Sequence, residues 1–401
     1  MASTEHHLTA RPLHVPLDLV RDFDFLADAA LLAGPHAHMR EIGHSYPPLF
    51  WTPRHGGHWL IGNHAMLAEV TADTERFSNR HRGLPQTEND IRLIPLNMDP
   101  PEHSRYRMPV NRYFSPRAVA VLAPVIRTMS IDLITQALAR PKCNFLHEIA
   151  ETLPVTLFMT MAGMPSGRVK EFRVLAEQAT ADPDGRVRER AHASIAEILA
   201  DTVHARFAER QDDVISHLID ADIDGRKPDF EEVLSYAVLL FLGGLETVVN
   251  SLCFAALHLA EHPQLQAQLR TQPEAVPAAV EEFLRLYGIA MPVRLVTRDT
   301  ELAGVELRKG DIIQLLIPAA NYDAAVYPEP ATFRLDRRAP HVTFNMGPHR
   351  CLGANLARLE LRIFFEEWLR LTPTYRLDPD RPPRFIGGLN LAVRSLDLEW
   401  M

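Results

Sequence analysis

The run Phe344-Asn345-Met346-Gly347-Pro348-His349-Arg350-Cys351-Leu352-Gly353 is the segment of this sequence most clearly suited to chemistry. A thiolate that serves as a metal ligand must be deprotonated, shielded and held in a fixed position. Glycines at 347 and 353 permit backbone conformations and close approaches that a Cβ would obstruct. Backbone N–H groups can then point at the sulfur and tune its donor strength. The following run, Leu352 to Leu371, is helical in pattern, which would put Cys351 at a helix N-terminus where the macrodipole favours an anion. His349 and Arg350 add hydrogen-bond donors. The plainer alternatives are a small buried hydrophobe or a His-x-Cys metal site, for which no matching Cys or His cluster is found.

Four other segments carry candidate chemistry. In Gly243-Gly244-Leu245-Glu246-Thr247 an acid and an alcohol follow two glycines. Each glycine weakens a helix by about 1 kcal/mol and leaves room for a ligand against the backbone, so an interruption of the helix is expected here. Glu282 and Arg285 stand at i, i+3 on one helix face and can pair. His103 and Arg107 stand at i, i+4 in Asp99-Pro100-Pro101-Glu102-His103-Ser104-Arg105-Tyr106-Arg107, again on one face. Arg294 follows in Pro292-Val293-Arg294. Taken singly, any of these cations reads equally well as solvated.

The elements that must position these groups are mainly α with a small β region. Leu49 to Gly62 reads as a hairpin around Arg54-His55-Gly56-Gly57. Met291 to Pro318, rich in Val, Ile and Leu, reads as further strands. Between about Pro101 and Tyr287 the pattern is helical almost throughout. Phe230 to Ala260 is apolar nearly all round, which suits a helix at the centre of a large protein or in a membrane; Glu231, Glu232, Glu246 and Asn250 favour the centre. Strands contributed by both ends of the chain predict one intertwined domain over residues 1–401.

Of the 401 residues 46% are hydrophobic and 23% charged, as in an ordinary globular protein. Forty-two Lys+Arg against 51 Asp+Glu give a formal charge of -9, which argues against a general nucleic-acid partner. The first sixteen residues hold no apolar run, so neither a signal peptide nor a membrane anchor is expected. The sparse, odd set Cys143, Cys253 and Cys351 is no disulfide framework and points to a reducing cytoplasm.

Together these motifs resemble the cytochrome P-450 family, and the resemblance spans nearly the whole chain. Phe344, Gly347, His349, Cys351 and Gly353 match the haem-binding signature, with Asn345 where many members have glycine. The resemblance implies a long central helix over haem b (iron protoporphyrin IX), whose iron is held by Cys351. It implies that Glu246 and Thr247 deliver protons to iron-bound dioxygen, and that His103, Arg107, Arg294 and His349 bind the haem propionates. It also implies that Glu282 and Arg285 form a buried structural pair extended by Arg337. Gly243 to Asn250, Asn97 to Pro101 and Gly56 to Trp59 are most similar to the bacterial camphor hydroxylase group. Such enzymes take electrons from a [2Fe-2S] ferredoxin reduced by an NADH-dependent flavoprotein, for which Arg105, Arg107, Arg112 and Arg350 are the expected docking patch. By the same alignment Ile91, Leu239, Leu242, Gly243, Ala290 and Leu389 line an apolar cavity, with Asn390 as its polar contact. Ile91 stands where the camphor enzyme has a tyrosine donor, so a small apolar terpenoid or other alicyclic substrate is expected rather than camphor. The competing reading is a haem-thiolate sensor without oxygenase activity, which needs the Cys351 motif but not Glu246-Thr247. A peroxide-driven oxygenase of the same fold typically lacks that alcohol.

Overall fold

A computed structural model describes residues 8–80, 84, 93–163, 166–181 and 185–401. The expected hairpin forms from Leu49–Thr52 and His58–Ile61, paired antiparallel with Trp51 opposite Trp59. Its turn passes through His55, Gly56 and Gly57, all at positive φ. At Gly57 a Cβ would stand 2.4 Å from the Trp51 ring, so the turn requires glycine there. His58–Ile61 then pairs in parallel with Ile312–Leu315, from the far end of the chain. Val293–Val296 pairs antiparallel with Ile312–Leu315, and Phe77–Ser78 completes the five-stranded order on its other side. A second sheet joins Lys142–Asn144, Asp397–Trp400 and Tyr375–Leu377.

The central helix runs from Phe230 to Glu261. Its start is a capping box: Asp229 accepts from the Glu232 N–H, and Glu232 accepts from the Asp229 N–H. The sequence predicts an interruption at Gly243-Gly244; the helix instead passes through unbroken. Two glycine penalties of about 1 kcal/mol each are small against the burial of Val233, Phe241, Leu252 and Cys253, all fully buried. This helix is long and apolar enough to cross a membrane. Here it packs instead against the helices Thr152–Met161 and Gly185–Ala208 and against Val276–Leu286. Its first half joins a core with Val155, Phe172 and Ile195. Its second half joins a larger one with Phe283, Phe364 and Trp368.

The sheet is what brings the candidate cations together. Arg294 lies on the strand Val293–Val296, opposite Ile313. On the neighbouring strand, Ser78 Oγ and the Asn79 N–H both donate to the Asp99 carboxylate. Asp99 in turn accepts from the His103 N–H through its carbonyl, at 2.9 Å, where the helix Glu102–Asn111 begins.

Candidate active site

The cysteine loop is closed by its own backbone: the Cys351 N–H donates to the Phe344 carbonyl at 2.7 Å, and the Arg350 N–H to that of Gly347 at 3.2 Å. Gly347 has φ +66°, and a Cβ there would lie 2.4 Å from the Thr71 carbonyl oxygen, so the loop requires glycine at this point. Asn345 also adopts the left-handed region, at φ 60°, which asparagine tolerates better than other non-glycine residues. That explains how a residue other than glycine can stand here. Gly353 is different from the expectation. Its φ is an ordinary -79°, and a Cβ would meet only the Cys351 sulfur at 4.0 Å. The helix also starts later than its pattern suggests, at Ala354 with Gly353 as cap. Cys351 is therefore set back from the helix end, and what reaches its sulfur is the Gly353 N–H.

Cys351 retains exposed surface, yet burial pushes its thiol up, opposed by the Gly353 N–H and by Arg107, Arg350 and Arg358. The two facts agree if the sulfur opens onto interior space rather than bulk solvent. Gly243, in the middle of the packed central helix, is exposed in the same way, and a Cβ there would touch nothing within 4 Å. Thr247 Oγ donates to the Gly243 carbonyl at 3.0 Å, which fixes the hydroxyl one turn from that opening.

The expected propionate ligands do converge. The His103 and His349 rings lie 4.1 Å apart. Both ring nitrogens of His103, Nε2 of His349, and Nε and Nη2 of Arg294 are buried without a hydrogen-bond partner. Arg294 uses only Nη1, on the Val293 carbonyl at 2.8 Å. Burial, then the Arg107 charge, pushes His103 down to about 4. Burial, then His103, Arg294 and Arg107, pushes His349 down to about 2, against a hydrogen bond to the Met98 carbonyl. Arg294 is pushed down by burial to about 10. Arg107 is more fully engaged: it donates to the Arg350 carbonyl and to Asn111 Oδ1. Buried polar groups are normally satisfied, and so dense a set of unpartnered nitrogens around the buried Arg294 charge matches a ligand carrying carboxylates. The two propionates of haem b, with Cys351 as iron ligand, fit these residues.

Behind the loop, Glu282 and Arg285 form the buried pair that the motif suggested, at 2.7 and 2.9 Å. Arg337 donates to the same carboxylate at 3.0 and 3.2 Å. The two guanidiniums also bind the carbonyls of Asn321, Pro328, Pro330 and Thr332. A residue that sequence reasoning passed over is Arg358. Its guanidinium stacks 4.5 Å from the Phe344 ring and pairs with Glu281. The visible signal was Glu281, an acid directly before the motif glutamate and so about 100° away from it around the helix.

Among the expected cavity residues, Leu239 and Ala290 are half-buried and Leu389 is 37% exposed. Leu242 packs toward the core of Val155, Met159 and Phe172. Ile91 lies outside the described residues. Asn390 has a protein partner: its Nδ2 donates to Glu246 Oε2 at 3.0 Å. Of the expected docking residues, Arg105, Arg112 and Arg350 are exposed, with Arg105 paired to Asp224 at 2.7 Å.

A cysteine loop whose sulfur receives the Gly353 N–H, beside the unpartnered nitrogens of buried His103, Arg294 and His349, defines a haem-thiolate protein. The chain belongs to the cytochrome P450 family: the family model described as "Cytochrome P450" matches residues 178–386. It is 32% identical over 402 residues to "Probable cytochrome P450 127A1" of Sinorhizobium fredii, covering 97% of this chain and 96% of that protein. It is also 32% identical to the steroid C26-monooxygenase of Mycobacterium tuberculosis, over 86% of this chain and 84% of the relative. The crystal structure of CYP101J2 superposes with a TM-score of 0.90 at 34% identity, covering 98% of this chain and 100% of that one. The protein is thus a haem b monooxygenase related to the CYP101 camphor hydroxylases.

Proposed function

We propose that this monooxygenase hydroxylates a small apolar terpenoid or other alicyclic compound. Its electrons come from a [2Fe-2S] ferredoxin served by an NADH-dependent flavoprotein, in the cytoplasm, and residues 1–401 act as one domain. The observation that carries the substrate reading is that the described residues assigned to the cavity are apolar apart from Asn390, whose amide nitrogen is turned to Glu246. Leu239, Leu242, Gly243, Ala290 and Leu389 are apolar, and the amide nitrogen of Asn390 is engaged by Glu246. A ketone entering such a pocket would exchange its hydrogen bonds to water for a largely apolar wall, which favours an apolar substrate.

Haem, when bound to Cys351, supplies the chemistry by which dioxygen is cleaved and one oxygen atom enters a C–H bond. The remaining tasks fall to the chain. His103, Arg107, Arg294 and His349 hold the propionates and so set the plane of the cofactor. Glu246 receives protons and Thr247 holds them at its hydroxyl in a cavity that otherwise excludes water. The exposed Arg105, Arg112 and Arg350 give an acidic ferredoxin a complementary surface.

The test is a ferric spin-state titration against camphor, other monoterpenoids, ionones, polycyclic aromatics, fatty acids and a steroid, the last because one relative carries that activity. A large shift with apolar terpenoids and little with camphor is expected. A full shift with camphor at low concentration would overturn the substrate reading.

A further inference from the structure

Asn390 lies in a segment tied down on both sides. The Met291 N–H donates to the Leu389 carbonyl at 2.7 Å and the Leu391 N–H to that of Ile289 at 2.9 Å. Ala290 and Asn390 therefore face each other in an antiparallel bridge. From this fixed backbone Asn390 Nδ2 reaches Glu246 Oε2 at 3.0 Å. One helical turn on, buried Asn250 makes a second link. Its Nδ2 donates to the Glu246 carbonyl and its Oδ1 accepts from the Val393 N–H, both at 2.9 Å. The central helix is thus stitched to segment 390–393 at two points, and Glu246 takes part in both through its carboxylate and its carbonyl.

An amide is well suited to this contact. Arginine or lysine would hold the carboxylate as an ion pair and oppose its protonation strongly. The Asn390 amide is a neutral donor and fixes one carboxylate oxygen through a directional hydrogen bond. A free glutamate side chain distributes over many rotamers, at an entropic cost to be met whenever one of them is needed. Asn390 removes that cost in advance, because its own backbone is immobilised by the bridge to Ala290.

We propose that Asn390 is a positioning residue that holds the Glu246 carboxylate in the conformation from which it serves Thr247. The proposal rests on the reading of Glu246 as the proton-delivering acid. It assigns Asn390 to the proton path and not to substrate recognition, although Leu389 and Ala290, on either side of it, are the residues assigned to the cavity wall.

The experiment compares haem-loaded wild type with Asn390→Leu, Asn390→Gln, Glu246→Gln and the Asn390→Leu/Glu246→Gln double variant. The substrate is the compound giving the largest spin-state shift in the panel above. For each variant kcat, product formed per NADH, the solvent deuterium isotope effect and the substrate Kd are measured. Asn390→Leu is expected to lower kcat about tenfold, the scale of one hydrogen bond to a charged group. It should raise the solvent isotope effect and leave Kd unchanged. Asn390→Gln, which keeps the amide, should recover part of the loss, and Asn390→Leu should add nothing to Glu246→Gln. A change in Kd with kcat intact would overturn the proposal and make Asn390 a substrate contact. An increase in kcat would overturn it equally, by making the contact a restraint. If Glu246→Gln leaves kcat and product per NADH unchanged, the underlying reading of Glu246 fails, and that result does not depend on any Asn390 variant. Should Asn390→Leu not load haem, Asn390→Ser, which is too short to reach Glu246, serves in its place under the same criteria.

Discussion

Arg294 offers a prediction whose sign changes with the state of the protein. It is 1% exposed, and two of its guanidinium nitrogens lack partners. Burial lowers it from 12.5 to about 10. At about 1.36 kcal/mol per pH unit this amounts to about 3 kcal/mol by which the folded, haem-free chain disfavours the charged arginine. The arginine stays protonated at pH 7 in both folded and unfolded states, so the cost does not vary with pH near neutrality. Replacing it by methionine, unbranched and of similar reach, removes that cost while keeping most of the packing. The haem-free Arg294→Met variant should therefore be at least as stable as wild type, and up to about 3 kcal/mol more so. In the haem-loaded protein the same change deletes charge-assisted hydrogen bonds to a propionate, about 1.5–3 kcal/mol, and haem should dissociate faster. The assay is urea unfolding of apo- and haem-loaded forms, followed by circular dichroism and the haem absorbance. A loss of stability in the apo form equal to that in the loaded form would refute the reasoning, because it would make Arg294 an ordinary structural arginine.

Thr247→Ala should keep haem binding and NADH consumption but divert electrons to peroxide, read as product and peroxide formed per NADH; unchanged coupling would remove Thr247 from proton delivery. Arg285→Leu leaves the buried Glu282 with Arg337 and the Arg334 N–H as partners and strands the Asn321 and Pro330 carbonyls; a loss of about 3–5 kcal/mol in urea unfolding is expected. Acid sensitivity follows from the buried histidines. His36, His58 and His103 are held at about 4, His258 at about 3 and His349 at about 2, in each case chiefly by burial. Their folded values lie below the unfolded 6.5, so the unfolded chain binds more protons below that pH. Stability is thus fully present above 6.5 and is lost as pH falls toward 4 and below. The urea midpoint of the apo form should fall over that range, and His103→Gln should flatten the slope.

What could be read from the sequence was mostly local. The hairpin at 49–62 declared itself by two glycines between apolar runs, and the central helix by its apolar length. The Glu282–Arg285 pair followed from i, i+3 spacing, whereas its burial rested on family resemblance. The reading failed where tertiary packing overrides local preference. Gly243-Gly244 read as a break, yet packing carries the helix through. Leu352 and Gly353 continued the helical pattern, but closure of the loop onto Phe344 delays the start to Ala354. The Asn390–Glu246 contact joins residues 144 apart in the chain, and no period or spacing reports such a pairing. Asn390 was assigned to the cavity by alignment with the camphor enzyme, and such an alignment carries no sign that its amide meets Glu246.

The five-stranded sheet also constrains how the molecule comes into being. Trp59 pairs with Ile313, made 254 residues later, and the strand Lys142–Asn144 finds its partner only in Asp397–Trp400, at the chain's end. At about 5–20 residues per second of synthesis, the first hairpin exists for roughly 10–50 s before the strand that covers its edge has been made. The thiolate ligand at residue 351 emerges later still. During translation the nascent chain therefore carries an open β edge, and cofactor capture is deferred until the strand Ile312–Leu315 and Cys351 have both been made. The order in which the strands are paired thus sets the earliest moment at which the site can hold its cofactor.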